Sequence, residues 1–550
     1  MKRLANLKNF TIALVFTAIS VISWGQTLSD LSGDGSEGNP YQIKSHTDWN
    51  ILANVVNGGN NCSGLYFVLK ESITLTIDNT ESSDIIVGIW NSDSNYKPFS
   101  GTFDGDWHTI TFNVGDNTTS YTPAFITPSA PFGVITGATI KNLTVTGTIR
   151  STKKYNSGLV GFSFGTQSNI IRCTSDITIN CEGIGATDPD CSSAGFLAEN
   201  KSGGSIRFLN CVFSGTITKG NLDNANRCAG FVSYDNNDNT VVIDTCTMAG
   251  TIDFTSNIAT FDRGKKVTRR EAYYITNYSG SSPQGTPATT TEPTDGIAKK
   301  YTKNANTYYV PGAQITGLEE TVFQYTGNNI TITPVVEYYG RTLTQGEEYT
   351  ISIEKKNGSG VYEPISAINA AGDYHYIIAG TGSYGGSLTT DIKVIQLNSW
   401  AALMEAMSQS EGTFDLTQDI IADNPRTTDL ALQVTGNITL NMHGYTIDRN
   451  LSDTIVYGQV IRVESGASLT INGPGTITGG YSWPGESPVP PQTTYYDKRD
   501  AGGIHNKGNL VLNNVNVVDN KCDKGNNGDY IYSARGGGIY TGPESSLVIE

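Results

Sequence analysis

Four segments between residues 131 and 253 can be laid one upon another, and that self-similarity limits the fold more than any other feature of the chain. They are Ile140-Lys141-Asn142-Leu143 through Thr148-Ile149, Ile170-Ile171-Arg172-Cys173 through Thr178-Ile179, Phe208-Leu209-Asn210-Cys211 through Thr216-Ile217, and Ile243-Asp244-Thr245-Cys246 through Thr251-Ile252. In each, a Leu or Cys stands six residues before the closing Ile. The cysteines advance by 38 and then 35 residues, a period that belongs to stacked structural repeats. Ahead of the last three segments come the short strands Gly158-Leu159-Val160-Gly161, Ala194-Gly195-Phe196-Leu197 and Ala229-Gly230-Phe231-Val232. Turn residues divide each repeat into about three short strands, which suits coils paired in parallel at roughly 4.8 Å. Leu143, Cys173, Cys211 and Cys246 are expected as one internal column, and Ile149, Ile179, Ile217 and Ile252 as a second. The thiols read first as small apolar filling, because no His accompanies them and metal sites use closely paired spacings.

A second duplication brackets the chain. Trp49, Leu52, Ala53 and Val56 follow Ser45, and Trp400, Leu403, Met404 and Met407 follow Asn398-Ser399. The spacing predicts a short helix with one apolar face, each time behind an N-cap and ahead of a strand. Such a helix would plug the open end of a stack.

The 61 glycines and a charged fraction of 16 % fit a turn-rich chain of short strands. Lys2, Arg3 and Lys8 precede an apolar run from Thr11 to Ile22, the pattern of a secretory signal over 1–25. Its removal makes the formal charge of −16 more acidic by three cations. That balance disfavours nucleic acid as a partner. No further stretch reaches the ~20 apolar residues of a membrane helix. Eight cysteines in 550 residues are too sparse for a disulfide framework, though Cys181 and Cys191 could pair locally. The states of Cys62, Cys228 and Cys522 stay open.

Residues 279–318 read as a linker rich in Pro, Thr and Ser. From 319 to 395 a period of two dominates, as in Ile330-Thr331-Ile332-Thr333 and Tyr374-His375-Tyr376-Ile377-Ile378. Together with Leu343-Thr344-Gln345-Gly346-Glu347-Glu348-Tyr349 and Gly380-Thr381-Gly382-Ser383-Tyr384-Gly385-Gly386, this stretch resembles an immunoglobulin-like module of bacterial surface proteins, which implies a spacer or adhesive role. From 396 a second stack is expected, with rungs Ser468-Leu469-Thr470-Ile471, Asn509-Leu510-Val511-Leu512 and Ser546-Leu547-Val548-Ile549. Gly502-Gly503-Ile504-His505 and Gly537-Gly538-Ile539-Tyr540 are similar to the glycine-rich repeats of polymorphic outer-membrane proteins. The stop at Glu550, in mid-repeat, reads as a truncation.

With Gly33-Asp34-Gly35-Ser36 through Ile43, Gly101-Thr102-Phe103-Asp104-Gly105 and Phe132-Gly133-Val134-Ile135, the chain resembles the pectin-lyase-like right-handed β-helix proteins of bacterial surfaces. The expected fold class is therefore all-β: two right-handed parallel β-helix domains, 26–278 and 396–550, joined by a small immunoglobulin-like β-sandwich. The resemblance implies a secreted or outer-membrane-associated adhesin or structural scaffold that meets a glycan or matrix ligand. The alternative is a polysaccharide lyase or glycoside hydrolase. No catalytic set is assigned. Asp176 and Asp244 fall at different points of their repeats, Asp104 and Asp106 lie beside a turn, and His108, His443 and His505 read as packing or surface groups. Asp34-Gly35-Ser36-Glu37 lacks the ligand alternation of a calcium loop, so no cofactor or metal is assigned. Trp483, Tyr495 and Tyr496, on a Pro-bearing insertion, are candidate sugar-stacking residues. Arg263, Lys265, Lys266, Arg269 and Arg270 form a basic cluster, expected as a solvated loop or an anionic-glycan contact.

Overall fold

The computed structural model describes residues 27–550 apart from 79–83, 116–127, 152–153, 182–191, 220–226, 236–238, 255–256, 265, 281, 426–429, 452–457, 483–500, 523–525, 528–529 and 532–536. The expected signal 1–25, Cys191, Lys265, Trp483, Tyr495 and Tyr496 lie outside the described residues. The architecture is all-β with extensive parallel sheets, and the chain divides into two compact units, 1–291 with 300–312 and 292–299 with 313–550. Among the described residues no helix is long and apolar enough to cross a membrane.

In the first unit an eight-stranded sheet runs in spatial order through Tyr41–Ile43, Tyr66–Leu69, Thr102–Asp104, Thr139–Lys141, Ser168–Ile171, Ser205–Leu209, Thr240–Asp244 and Val267–Arg270. Each strand is parallel to the next, and each comes from the next repeat along the chain. Register places like on like. Phe67, Phe103, Ile140, Ile170, Phe208 and Ile243 follow one another across the sheet, all fully buried. On the second large sheet Ile149, Ile179, Ile217 and Ile252 are successive partners, as are Thr148, Thr178, Thr216 and Thr251.

Between these two sheets the chain bends at one residue per repeat. Asn142, Arg172, Asn210, Thr245 and Glu271 have φ of 53°, 52°, 56°, 53° and 45°. Left-handed backbone is uncommon for such residues and must be held by its surroundings. Here the holding groups are main-chain: Asn142, Arg172, Asn210 and Thr245 donate their N–H to Ile171, Leu209, Asp244 and Arg270 of the next repeat, at 2.8–3.0 Å. The residue after each bend is Leu143, Cys173, Cys211, Cys246 or Ala272, and every one is buried. Cys173, Cys211 and Cys246 are free thiols in one column, with the Cys211 amide 3.4 Å from the Cys246 sulfur.

The helices form where the apolar spacing puts them. His46–Asn57 buries Trp49, Leu52, Ala53 and Val56, and the Ser45 hydroxyl accepts from the Asp48 N–H. Trp49 lies edge-on to Phe103 and Phe132, closing the first rung of the core. Trp400–Met407, capped by Ser399, repeats the device in the second unit, although Met404 is only half-buried. Each tryptophan donates its indole N–H at 2.8 Å to a main-chain carbonyl, Ile85 for Trp49 and Leu430 for Trp400.

The second unit carries an antiparallel sheet and a mixed one, in which Val322–Gln324 pairs in parallel with Ser387–Ile395, over a common core around Val336, Tyr374, Ile378 and Ile392. After Trp400–Met407 the sheets are parallel again, with Glu411–Asp415, Asn437–Asn441, Ser468–Thr478, Asn509–Val517 and Ser546–Ile549 in register. An amide row crosses this sheet: Asn513 donates to Asn472, Asn472 to Asn441 and Asn441 to Asp415, at 2.8–3.0 Å.

Residues 279–318 are not the structureless linker their composition predicts. Thr286–Pro287 pairs with Tyr273–Tyr274, and Ala298–Lys303, Asn306–Pro311 and Ala313–Thr316 are strands. An existing sheet edge and local hairpins supply the partners, so periodicity within the segment is not required.

Burial pushes the Cys173 and Cys211 thiols well above the usual thiol range. Maleimide labelling of the native chain is expected to leave Cys173, Cys211 and Cys246 unmodified until denaturant unfolds the first unit, as read by peptide mass spectrometry. Modification of any of the three at native-like rates would remove the buried column.

Candidate functional site

One small sheet of the first unit gathers the chemistry. Phe132–Ile135, Val160–Ser163, Leu197–Asn200 and Val232–Asp235 pair in parallel. Register draws two rows across it: Val134, Phe162, Glu199 and Tyr234 in one, Ile135, Ser163, Asn200 and Asp235 in the next.

The first row is covered by a hairpin, Ile89–Ser92 with Asn95–Lys97. Trp90 meets Phe162 edge-on at 5.2 Å, and Tyr96 stacks on Phe164 at 4.2 Å. These residues form an apolar cluster separate from the main core. Into it comes the Lys201 ammonium, 4.5 Å from the Phe162 ring centre, 4.9 Å from Trp90 and 5.5 Å from Tyr155. Glu199 lies 3.1 Å from that ammonium and is itself buried, while the exposed Asp93 lies 3.6 Å away. A desolvated cation gains most from ring faces, and a buried carboxylate needs its partner. The hairpin, the rings and the ion pair therefore hold one another in place. Further along the row, the Arg227 guanidinium sits 4.5 Å over the half-buried Tyr234 ring.

The second row turns polar along the stack. Asn200 donates its amide to Asp235 Oδ1 at 3.0 Å and to the Gly204 carbonyl at 3.3 Å, and the Asn239 amide donates to the Asn200 carbonyl at 2.7 Å. Burial raises the Asp235 carboxyl above its usual range, against the pull of the Asn200 and Asn239 amides.

Asp262 follows on the next repeat, where its backbone bridges to Val232. Its side chain is fully buried and meets the Arg269 guanidinium at 2.6 Å. Burial raises this carboxyl as well; Arg269 opposes the rise and the nearby Asp235 charge adds to it. Gln284 fastens the Asp262 backbone, accepting from the Asp262 N–H and donating to its carbonyl. Arg269 is the register partner of Ile243, so the pair closes the end of the apolar row that starts at Phe67. A pocket of about 460 Å³ opens here, lined by Asp262, Arg263, Gly264, Tyr278 and Gln284 among others.

Glu199, Asp235 and Asp262 thus occupy three successive repeats. Glycosidic hydrolysis needs two carboxyls free to face substrate. Glu199 is tied to Lys201 and Asp262 to Arg269, so two of the three are structural anchors. Arg269 and Arg270, expected in a loop, sit on the strand Val267–Arg270, where Arg270 and Arg207 both reach Asp244 at about 3 Å. Of the sequence-singled histidines, His443 bonds Asp415 at 2.6 Å, and that contact holds the Asp415 carboxyl below its usual range. His505 is buried beside Tyr540. Asp34 accepts from the Ser36 N–H at 2.9 Å in a tight exposed turn. Trp90, Lys201 and Asp235 were not singled out by sequence. The only signal for Asn200 and Asp235 was their common offset, three residues after Leu197 and Val232.

No family model matches this chain, and no curated protein matches it. Among solved structures, one described as "a putative immunoglobulin A1 protease from Bacteroides ovatus" aligns at 17% identity with a TM-score of 0.29, covering 46% of this chain and 84% of that one.

Replacing Lys201 by Ala strands Glu199 in a buried site, and a loss of about 3–5 kcal/mol is expected in denaturant unfolding. A change within experimental error would show the cage to be ornamental. Asp235→Asn tests the second row. A carboxyl raised on folding is tolerated when protonated, below its unfolded value near pH ~4, and destabilises as pH climbs through its folded value. In metal-free buffer the variant is therefore expected to gain thermal midpoint relative to wild type as pH rises from about 4 to 7; an offset that does not vary with pH contradicts the raised carboxyl.

Proposed function

We propose that this chain is a secreted, surface-displayed repeat scaffold of the adhesin type. In this reading the parallel sheets of 26–278 and 396–550 wind as two right-handed β-helices, each started by a plugging helix, and an immunoglobulin-like sandwich falls between them in the sequence. The observation that carries the reading is the unbroken register of like residues over successive repeats, from Phe67 to Ile243 and from Ile149 to Ile252. Such stacks supply long, stiff surfaces whose side chains repeat at a fixed spacing. They do not by themselves supply chemistry.

Glycan or extracellular-matrix ligands are the proposed partners. Support comes from half-buried rings set against charged groups, Tyr234 under Arg227 and Trp90 against Lys201, a pairing that neutral sugars favour. The insertion bearing Trp483, Tyr495 and Tyr496 stays a proposed second contact. Cleavage of polysaccharide loses ground because Glu199 and Asp262 are engaged by cations.

Immobilised glycans and matrix proteins, probed with the full chain, test the reading. Binding to at least one class is expected, with the Tyr96→Ala/Tyr234→Ala pair weakening it roughly tenfold. Release of reducing or unsaturated ends from any polysaccharide would overturn the scaffold reading in favour of the enzyme.

A further inference from the structure

The aromatic cage holds an amine and two carboxyls in an arrangement that can do more than pair charges. Lys201 follows the strand Leu197–Asn200, and its main-chain N–H donates to the Ser163 carbonyl at 2.9 Å, which fixes the root of the side chain. Its ammonium lies 3.1 Å from Glu199 Oε2 and 3.6 Å from Asp93 Oδ1. The Lys201 and Glu199 side chains are 10 % and 7 % exposed, whereas Asp93 reaches solvent at 68 %. Oε2 of Glu199 is sealed from water and no aligned hydrogen bond holds it, so it is open to a proton. Asp93 stands at the tip of the hairpin Ile89–Ser92 with Asn95–Lys97, where the Trp90 indole N–H donates to its Oδ1 at 3.1 Å. A surface ion pair alone needs neither the rings nor a second, buried acid.

We propose that Lys201 and Asp93 join in an intramolecular isopeptide bond, with Glu199 as the proton carrier. Glu199 takes a proton from the Lys201 ammonium; the desolvation penalty on a buried ion pair falls on its charges, which brings the neutral pair within reach. The amine nitrogen attacks Cγ of the Asp93 carboxyl, protonated from solvent, and the C–N bond forms as the carbonyl electron pair moves onto Oδ1. The Trp90 N–H already meets that oxygen and receives the developing charge. Glu199 passes its proton to Oδ2, the C–Oδ2 bond breaks, and water leaves on the exposed side. Glu199 then takes the surplus proton from nitrogen and returns it to solvent. The sum converts one ammonium and one carboxylate to one amide and one water, and it needs no oxidant. Free in water this condensation is unfavourable, but groups held at contact reach effective molarities of ~10⁵–10⁸ M. The bond would tie residues 108 positions apart and lock the hairpin over Phe162. It does not depend on the surface-display reading.

The full chain, denatured after folding, is weighed by intact-mass spectrometry and then mapped by peptide. It is expected to be lighter than its sequence by one water, with a branched peptide joining the segment of Asp93 to that of Lys201. Asp93→Ala, a change at an exposed position that leaves the buried pair in place, is expected to restore the full mass. Lys201→Arg keeps the cation and is expected to do the same, which separates the bond from cyclisation of Asp93 on its own backbone. Glu199→Gln is expected to slow bond formation roughly tenfold or more, read as unlinked chain sampled early after synthesis. A wild-type chain of full mass, a water loss that survives Lys201→Arg, or a Glu199→Gln chain that links as fast as wild type would each overturn the proposal.

Discussion

Parallel pairing in exact sequence register is the constraint from which the rest follows. When repeat stacks on repeat, the neighbour above and below any side chain is the residue at the same place in the next repeat. An apolar residue is rewarded twice, by burial and by contact with its own kind, and the row Phe67, Phe103, Ile140, Ile170, Phe208, Ile243 shows the outcome. A charge is penalised twice, because its equivalents would stack like upon like about 4.8 Å apart. That row therefore carries no charge before its last strand. Arg269 follows Ile243 in register, at the last strand of the eight-stranded sheet, and takes buried Asp262 as its counter-ion.

Amides escape that penalty, since each carries both a donor and an acceptor. Asn513, Asn472 and Asn441 pass a hydrogen bond from rung to rung until it reaches Asp415, which can only accept. The row needs an acceptor-only residue at that end, and the Asp415 carboxylate also bonds the His443 ring at 2.6 Å. The same economy explains the bends. Asn142, Arg172, Asn210 and Thr245 tolerate left-handed backbone because each donates its N–H across to the next repeat, so the ladder continues through the corner. The requirement falls on the backbone and leaves the side chain open, which is why Asn, Arg and Thr all serve at one structural position.

What was legible in the sequence is what repeats. The offset of six from Leu143 or Cys173 to the closing Ile announced both buried columns, and the apolar spacing after Ser45 and Ser399 announced both helices. What repeats do not contain stayed hidden. Among the described residues of the first unit the hairpin around Trp90 and Tyr96 has no counterpart in another repeat, so comparison of segments does not place it over Phe162. Arg269 and Arg270 read as a basic loop because their acidic partners, Asp262 and Asp244, are set by register and not by neighbourhood in the chain. Thr286–Pro287 looks like linker since its strand character comes from the edge it joins. The aromatic candidates Trp483, Tyr495 and Tyr496 fall outside the described residues, and the rings that the structure does bring together are others.

The two polar rows differ in a way that bears on function. In the row ending at Asp415, each amide donates to the acceptor of its neighbour, and one oxygen, Asn513 Oδ1, is left without a partner. In the row Ser163, Asn200, Asp235 the donors of Asn200 are spent on Asp235 and on a main-chain carbonyl, and three oxygens are left over. Stacking rewards sameness, yet here three consecutive repeats place three different polar residues at one position. A row kept for packing alone would gain by extending Ile135 through Ser163, Asn200 and Asp235 as an apolar column, as the row from Phe67 to Ile243 does. The departure sits beside the aromatic cage and the pocket at Asp262, where the fold holds its densest set of buried charges.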